Sequence, residues 1–123
     1  MKEGKIFKEW LYNELAGAGV ADGRIFRYTA KGEVKGGYIL TDSVEVTYDG
    51  NKDCHYADGI TARIVCVDKS EGGAENLADT IEELLDGAHI ATLDGCIEVT
   101  ARRCDYDAAI DEFLEEIRIK VEL

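Results

Sequence analysis

Six side chains could act as nucleophiles, bases or soft metal ligands near neutral pH: Cys54, Cys66, Cys96 and Cys104, with His55 and His89. A structural zinc site draws its ligands in close pairs, because residues a few positions apart can close on one ion. No C-x-x-C pair occurs here, and the gaps of 12, 30 and 8 between successive cysteines match no zinc spacing. Cys54 and His55 are adjacent, and adjacent residues on an extended chain point to opposite sides, so they do not form a nucleophile–base dyad. His89 stands alone. A tetrahedral site would exist only if the fold gathers these residues. The expectation is reduced cysteines, some buried as small apolar groups, with no catalytic, cofactor-binding or metal-binding residue assigned.

Three other groupings invite chemistry. Ser70-Glu71-Gly72-Gly73 precedes a helical pattern, and helix N-termini bind anions. It lacks the lysine and the spacing of a phosphate loop, and Glu71 and Glu75 would repel phosphate, so the glycines read as turn formers. Asp79, Glu82, Glu83 and Asp86 could ligate a divalent cation, but no EF-hand spacing is present, and carboxylates on the polar face of a helix are usually solvated. Asp22, Asp49, Asp53 and Asp58 are loop acids with the same reading. Arg102-Arg103 with Arg118 and Lys120 form the one candidate basic patch, and the bland account is the solvent face of two strands.

The whole chain argues against a nucleic-acid role. It has 26 acidic against 14 basic residues, a net charge of −12. Duplex binding gains most of its affinity by releasing phosphate counterions to Lys and Arg, so this chain would repel a duplex at long range. Its 123 residues fit one domain, residues 1–123, and 46% apolar content with 33% charged can bury a core. No run approaches the roughly 20 apolar residues of a membrane span. Glu3, Glu9 and Glu14 interrupt the first segment, which therefore does not read as a secretory signal, and the expected compartment is the cytoplasm.

The elements that must position these groups are marked by period and by glycine, since the chain has no proline. Ile6, Phe7, Trp10, Leu11 and Leu15 predict a helix over Lys5 to Ala16, ended by Gly17 and Gly19. Trp10 should anchor it on the sheet or on a neighbouring subunit. A short strand is expected within Gly23 to Thr29, and a loop over Lys31 to Gly37. A strand should follow over Tyr38 to Tyr48, interrupted near Thr41-Asp42-Ser43, with Val44 and Val46 on one face. Asp49 to Gly59 reads as an exposed loop. Ile60 to Asp68 reads as a central strand covered on both sides in its second half.

Ala74 to Leu85 predicts an amphipathic helix with Ala74, Leu77, Ala78, Ile81, Leu84 and Leu85 as its apolar stripe, stopped by Gly87. Ile90 to Leu93 is a short strand or connector. Asp94-Gly95 signals a hairpin into Cys96 to Cys104, with Ile97, Val99 and Ala101 on one face. Asp105 to Asp111 is a connection of about one helical turn. Ile117, Ile119, Val121 and Leu123 alternate with charged residues in a half-buried final strand. If that strand extends back to Phe113, Glu115 falls on the core-side parity and should lie near a sheet end. The expected fold is α+β: an N-terminal helix and one central amphipathic helix packed on one side of a mostly antiparallel sheet.

Two segments, ARIVCVDKSEGGAENLADTIEELLDG (Ala62 to Gly87) and RRCDYDAAIDEFLEEIRIKVEL (Arg102 to Leu123), resemble the tail completion, or tail terminator, proteins of tailed bacteriophages and prophages. The shared pattern is a valine-alternating strand ending in Asp, then Ser, a glycine turn, a helix of the form A-x-x-L-A-D-x-I, and a final strand after a Tyr-Asp connection. GRIFRYT and YILTDSVEV sit where that family places its first strands. The resemblance implies a virion structural protein, a ring subunit, in the family a hexamer. It would cap the tail tube and join it to the head-side connector, with the tail-tube and head–tail connector proteins as partners. It implies location in the virion tail after assembly in the bacterial host cytoplasm, and no cofactor, enzyme activity, sequence-specific nucleic-acid binding or membrane attachment. The alternatives are a small cytoplasmic protein-binding module using an exposed sheet edge, for which the final strand is a candidate, and an enzyme in which a cysteine, His89 and an acid converge in a pocket.

Overall fold

A computed structural model describes residues 2–27, 34, 36–48 and 57–123. Cys54, His55, Asp49 and Asp53 lie outside the described residues, as does most of the loop expected over Lys31 to Gly37.

The element order is α1 (Lys2–Gly17), a 3-10 turn (Val20–Gly23), β1 (Ile25–Phe26), β2 (Tyr38–Tyr48), β3 (Ala57–Asp68), α2 (Glu71–Leu85), β4 (His89–Ile90), β5 (Gly95–Asp107) and β6 (Glu112–Glu122). The strands form one six-stranded sheet in the order β1-β2-β3-β6-β5-β4. β1 runs parallel to β2 and every other neighbouring pair is antiparallel. Phe7, Leu11 and Leu15 of α1 share one apolar cluster with Ala78, Ile81 and Leu85 of α2. The same cluster takes in Ile39, Ile60, Ile64, Ile97, Ile117, Ile119 and Val121 from the sheet. Both helices therefore cover the same sheet face, as the periodicity predicts. Each fully buried Leu, Ile or Phe here contributes about 1.5–3 kcal/mol, which docks helices too short to persist alone.

Both helices begin earlier than expected, α1 at Lys2 and α2 at Glu71. Gly4 lies where α1 crosses β2, and a Cβ there would stand 3.2 Å from Cγ2 of Val46. α2 starts at Glu71 because Ser70 caps it: the Ser70 hydroxyl accepts the Gly73 N–H at 3.0 Å. Gly72 and Gly73 thus belong to the helix rather than to a turn before it. A Cβ on Gly73 would meet the Asp68 carboxylate at 2.6–2.7 Å. Gly87, at φ +81, follows the helix end as the sequence predicts.

Three strand assignments are corrected. Ala57 to Gly59 open β3 instead of closing a loop. Asp105 to Asp107 extend β5, which shortens the expected connection to a turn at residues 108–111 leading into β6. The final strand is not an edge: β6 lies between β3 and β5. Its neighbour β3 is central too, and its second half is covered on both faces, with Cys66 buried on one side and Val65 and Val67 on the other. On that other face the Tyr38 hydroxyl donates to Oε2 of Glu112 at 3.1 Å, and the rows Tyr38–Val67–Leu114 align across three strands.

Candidate functional site: a buried charge cluster and a groove beside α1

The charged cluster is made by one extra residue. Val99 pairs with Ile119 and Ala101 with Arg118, so β5 advances two residues where β6 advances one. Thr100 is the surplus residue of a β-bulge, and its hydroxyl donates to the Arg118 carbonyl at 3.2 Å. Beyond it the parity of β5 inverts. Ala101 joins the row of Arg118 on the open face, and Arg102 turns toward α2. This corrects both the apolar face expected to include Ala101 and the placing of Arg102 on the solvent face with Arg103, Arg118 and Lys120.

Arg102 there meets three carboxylates. Its Nη1 donates to Oδ1 of Asp79 at 2.7 Å and to Oε1 of Glu82 at 3.3 Å. Its Nε and Nη2 both donate to Oε1 of Glu115, at 3.2 and 2.8 Å. Glu115 has the expected core-side parity, three residues in from the start of β6, and is 6% exposed. Its Oε2 has no hydrogen-bond partner among the described residues. The hydrogen bond to Asp79, opposed by burial and supported by Glu115 and Glu82, raises the Arg102 pKa and keeps it cationic. Arg102 therefore ties β5 and β6 to α2, and Asp79 and Glu82 are structural partners of a cation rather than open metal ligands.

The remaining candidates are dispersed. Arg103 pairs with Asp105 at 3.6 Å, Arg118 with Glu116 at 2.8 Å and Lys120 with Glu122 at 3.5 Å, so each of these bases has an acid beside it, Glu116 being shared with Arg63 at 4.0 Å. Asp86 accepts the Val99 N–H within β5, Asp58 accepts from the Thr47 hydroxyl, and Asp22 pairs with Arg24 at 3.6 Å. Among the described residues no three His, Cys, Asp or Glu side chains are grouped to hold a metal ion.

The thiols of the described residues fall into two settings. Cys66, Glu115 and Cys104 align across β3, β6 and β5. Burial pushes the Cys66 thiol up to about 12, and the Glu115 carboxylate adds to the rise. Desolvation, then Glu115, raises Cys104 as well. A thiol held protonated is a poor nucleophile. The β4–β5 hairpin sets Cys96 opposite His89, whose Nε2 lies 3.2 Å from Oδ1 of Asp94. Asp94-Gly95 signals a hairpin but not this pairing: the turn is residues 91–94, Gly95 is already in β5 opposite Ile90, and a two-residue turn at Asp94-Gly95 would have set Leu93 opposite Cys96. Both Cys96 and His89 are exposed, so nothing there excludes water.

A groove of about 630 Å³ runs between α1 and β2, lined by Leu11, Tyr12, Thr41, Val44 and Val46 among others. Among the described residues that line it, Lys5, Lys8 and Arg27 are basic and Glu9 is acidic. The sequence pattern gives no sign of this groove. It depends on where α1 crosses the sheet, which brings Leu11 and Tyr12 beside Val44 and Val46.

The architecture defines a class: a six-stranded, mostly antiparallel sheet with two helices on one face and its charged groups engaged with one another. A chain in the virion of a native gene transfer agent particle has the same fold, with a TM-score of 0.66 over 95% of this chain and 90% of that chain, at 12% sequence identity. No protein-family model matches the sequence, and no curated protein does.

Proposed function

We propose that this protein is a structural, non-catalytic subunit of a phage-like virion, acting as a ring-forming tail completion protein. In that role it caps the tail tube and joins it to the head-side connector. The carrying observation is the fold match across nearly the whole chain to a component of a gene transfer agent virion. The sequence resemblance to tail completion proteins points to the same kind of particle and supplies the finer placement. The charge cluster supports a mechanical role, because Arg102, Asp79, Glu82 and Glu115 are engaged in holding a helix to a sheet.

The test is to induce particles in the host that carries the gene and to compare them with those of a deletion strain. Purified particles should contain the protein in a fixed ratio to the tail-tube subunit. The deletion should leave tails unjoined to heads. Intact, fully joined particles that lack the protein refute the proposal.

A further inference from the structure

We infer that the groove between α1 and β2 receives the β5–β6 hairpin tip of a second copy of this chain, in a head-to-tail contact. The inference rests on the virion-subunit reading and names the surface by which that subunit associates with itself.

The tip is an exposed apolar knob. Ile110 is 51% exposed and Tyr106 45% exposed. It is also stiff. The Tyr106 ring packs on Phe113 with centroids 5.0 Å apart, its hydroxyl bonds to Asp111, and Oδ1 of Asp107 accepts the Ala109 N–H at 3.0 Å. A knob already ordered loses little entropy when it docks. Around the apolar residues it carries Asp105, Asp107 and Asp111.

The groove is complementary in both respects. Val44 and Val46 are only partly buried in it and Tyr12 is 49% exposed, so an apolar knob would remove apolar surface from water. Lys5 and Lys8 face the acids of the tip with opposite charge. In a chain of net −12, whose copies otherwise repel, such a local match selects where they touch. The two surfaces sit at opposite flanks of the sheet, one on β2 and the other on β5 and β6. Because the surfaces differ, the contact is heterologous: each copy offers one knob and one groove, and repetition gives a ring or a filament.

The experiment uses the full chain in sedimentation velocity, over concentrations up to about 1 mM, where even a contact of millimolar affinity is occupied at roughly two-fifths of its sites. One variant, Lys5→Glu/Lys8→Glu, spoils the groove, with Tyr12→Glu as a second groove variant should the first fold poorly. Another, Ile110→Lys, spoils the knob. The expected result is that the wild type associates and each variant weakens association about tenfold or more. A mixture of groove and knob variants should stop at a dimer, because it has one working knob and one working groove. A wild type that stays monomeric throughout overturns the inference. So does association unaffected by both variants, or a mixture that assembles as far as the wild type. The composition of purified particles tests the virion reading separately, so failure of the contact and failure of that reading give different results.

Discussion

Arg102 holds Glu115 diagonally across the β5–β6 ladder: its cross-strand partner is Ile117, yet two of its nitrogens converge on Oε1 of Glu115 two residues away. Glu115 is thereby the one charged side chain counted in the buried interior of the described residues. Removing Arg102 leaves that carboxylate buried without its cation, and breaking a buried pair from one side costs about 3–5 kcal/mol. The Arg102 side chain is 27% exposed, and water reaching it lowers the expected loss to about 2–4 kcal/mol for Arg102→Leu. The double variant Arg102→Leu/Glu115→Leu should recover at least half of that. Urea denaturation of the single and double variants measures it, and equal stability of wild type and Arg102→Leu would show that the pair is not coupled to folding.

The helix start at Ser70 gives a second test. Ser70→Ala removes the cap to the Gly73 N–H and should cost about 1 kcal/mol. Gly73→Ala should cost about 1–3 kcal/mol, although alanine is the better helix former, because its Cβ would overlap the Asp68 carboxylate. A Gly73→Ala protein that melts higher than wild type contradicts this geometry.

What the sequence revealed and what it concealed divide along one physical line. Periods of 3.6 and 2 record which face of an element is buried, so α1, α2, β2, β3 and β6 were legible from Phe7, Leu11, Ile81, Val44, Ile64 and Ile117. Glu115 was legible as an anomaly, a charge on the apolar parity of β6. Its partner was not, because Thr100 carries no mark of a bulge and one surplus residue reverses the side on which every later residue of β5 lies. The parallel pairing of β1, the interior place of β6 and the groove beside α1 depend on contacts between distant segments. A local pattern does not encode these.

Cys66 links burial to pH. The thiol of the unfolded chain ionises near the ordinary value of 9.0, while the folded one is pushed up to about 12. Its contribution to stability is therefore fully present below pH 9 and is lost as the pH rises toward 12, at up to about 1.4 kcal/mol per pH unit. Cys66→Ala should lower stability at pH 7 by opening a cavity, but should flatten the decline above pH 9. Denaturant midpoints at pH 7, 9 and 10.5 report both effects. In the native protein at pH 8, mass-spectrometric mapping of alkylation should find Cys96 modified long before Cys66. Comparable rates at the two positions would mean that Cys66 is not sealed in the interior.

The bulge at Thr100 makes an unusual prediction about a deletion. If β5 were a straight strand, removing Thr100 would send Arg102 and all that follows to the opposite face, and the protein would unfold. In the bulged strand, Val99 already pairs with Ile119 and Ala101 with the next residue back, Arg118. Removing Thr100 then closes a regular ladder and leaves Arg102 facing Asp79, Glu82 and Glu115. The loss should be about 1 kcal/mol, from the Thr100 hydrogen bond to the Arg118 carbonyl and from local twist. The deletion protein should melt cooperatively, and Arg102→Leu introduced into it should cost as much as in the wild type, because the same pair is broken in both. An unfolded deletion protein, or an Arg102→Leu effect that vanishes in the deletion background, would place Arg102 on the other face and remove the bulge from the account of this fold.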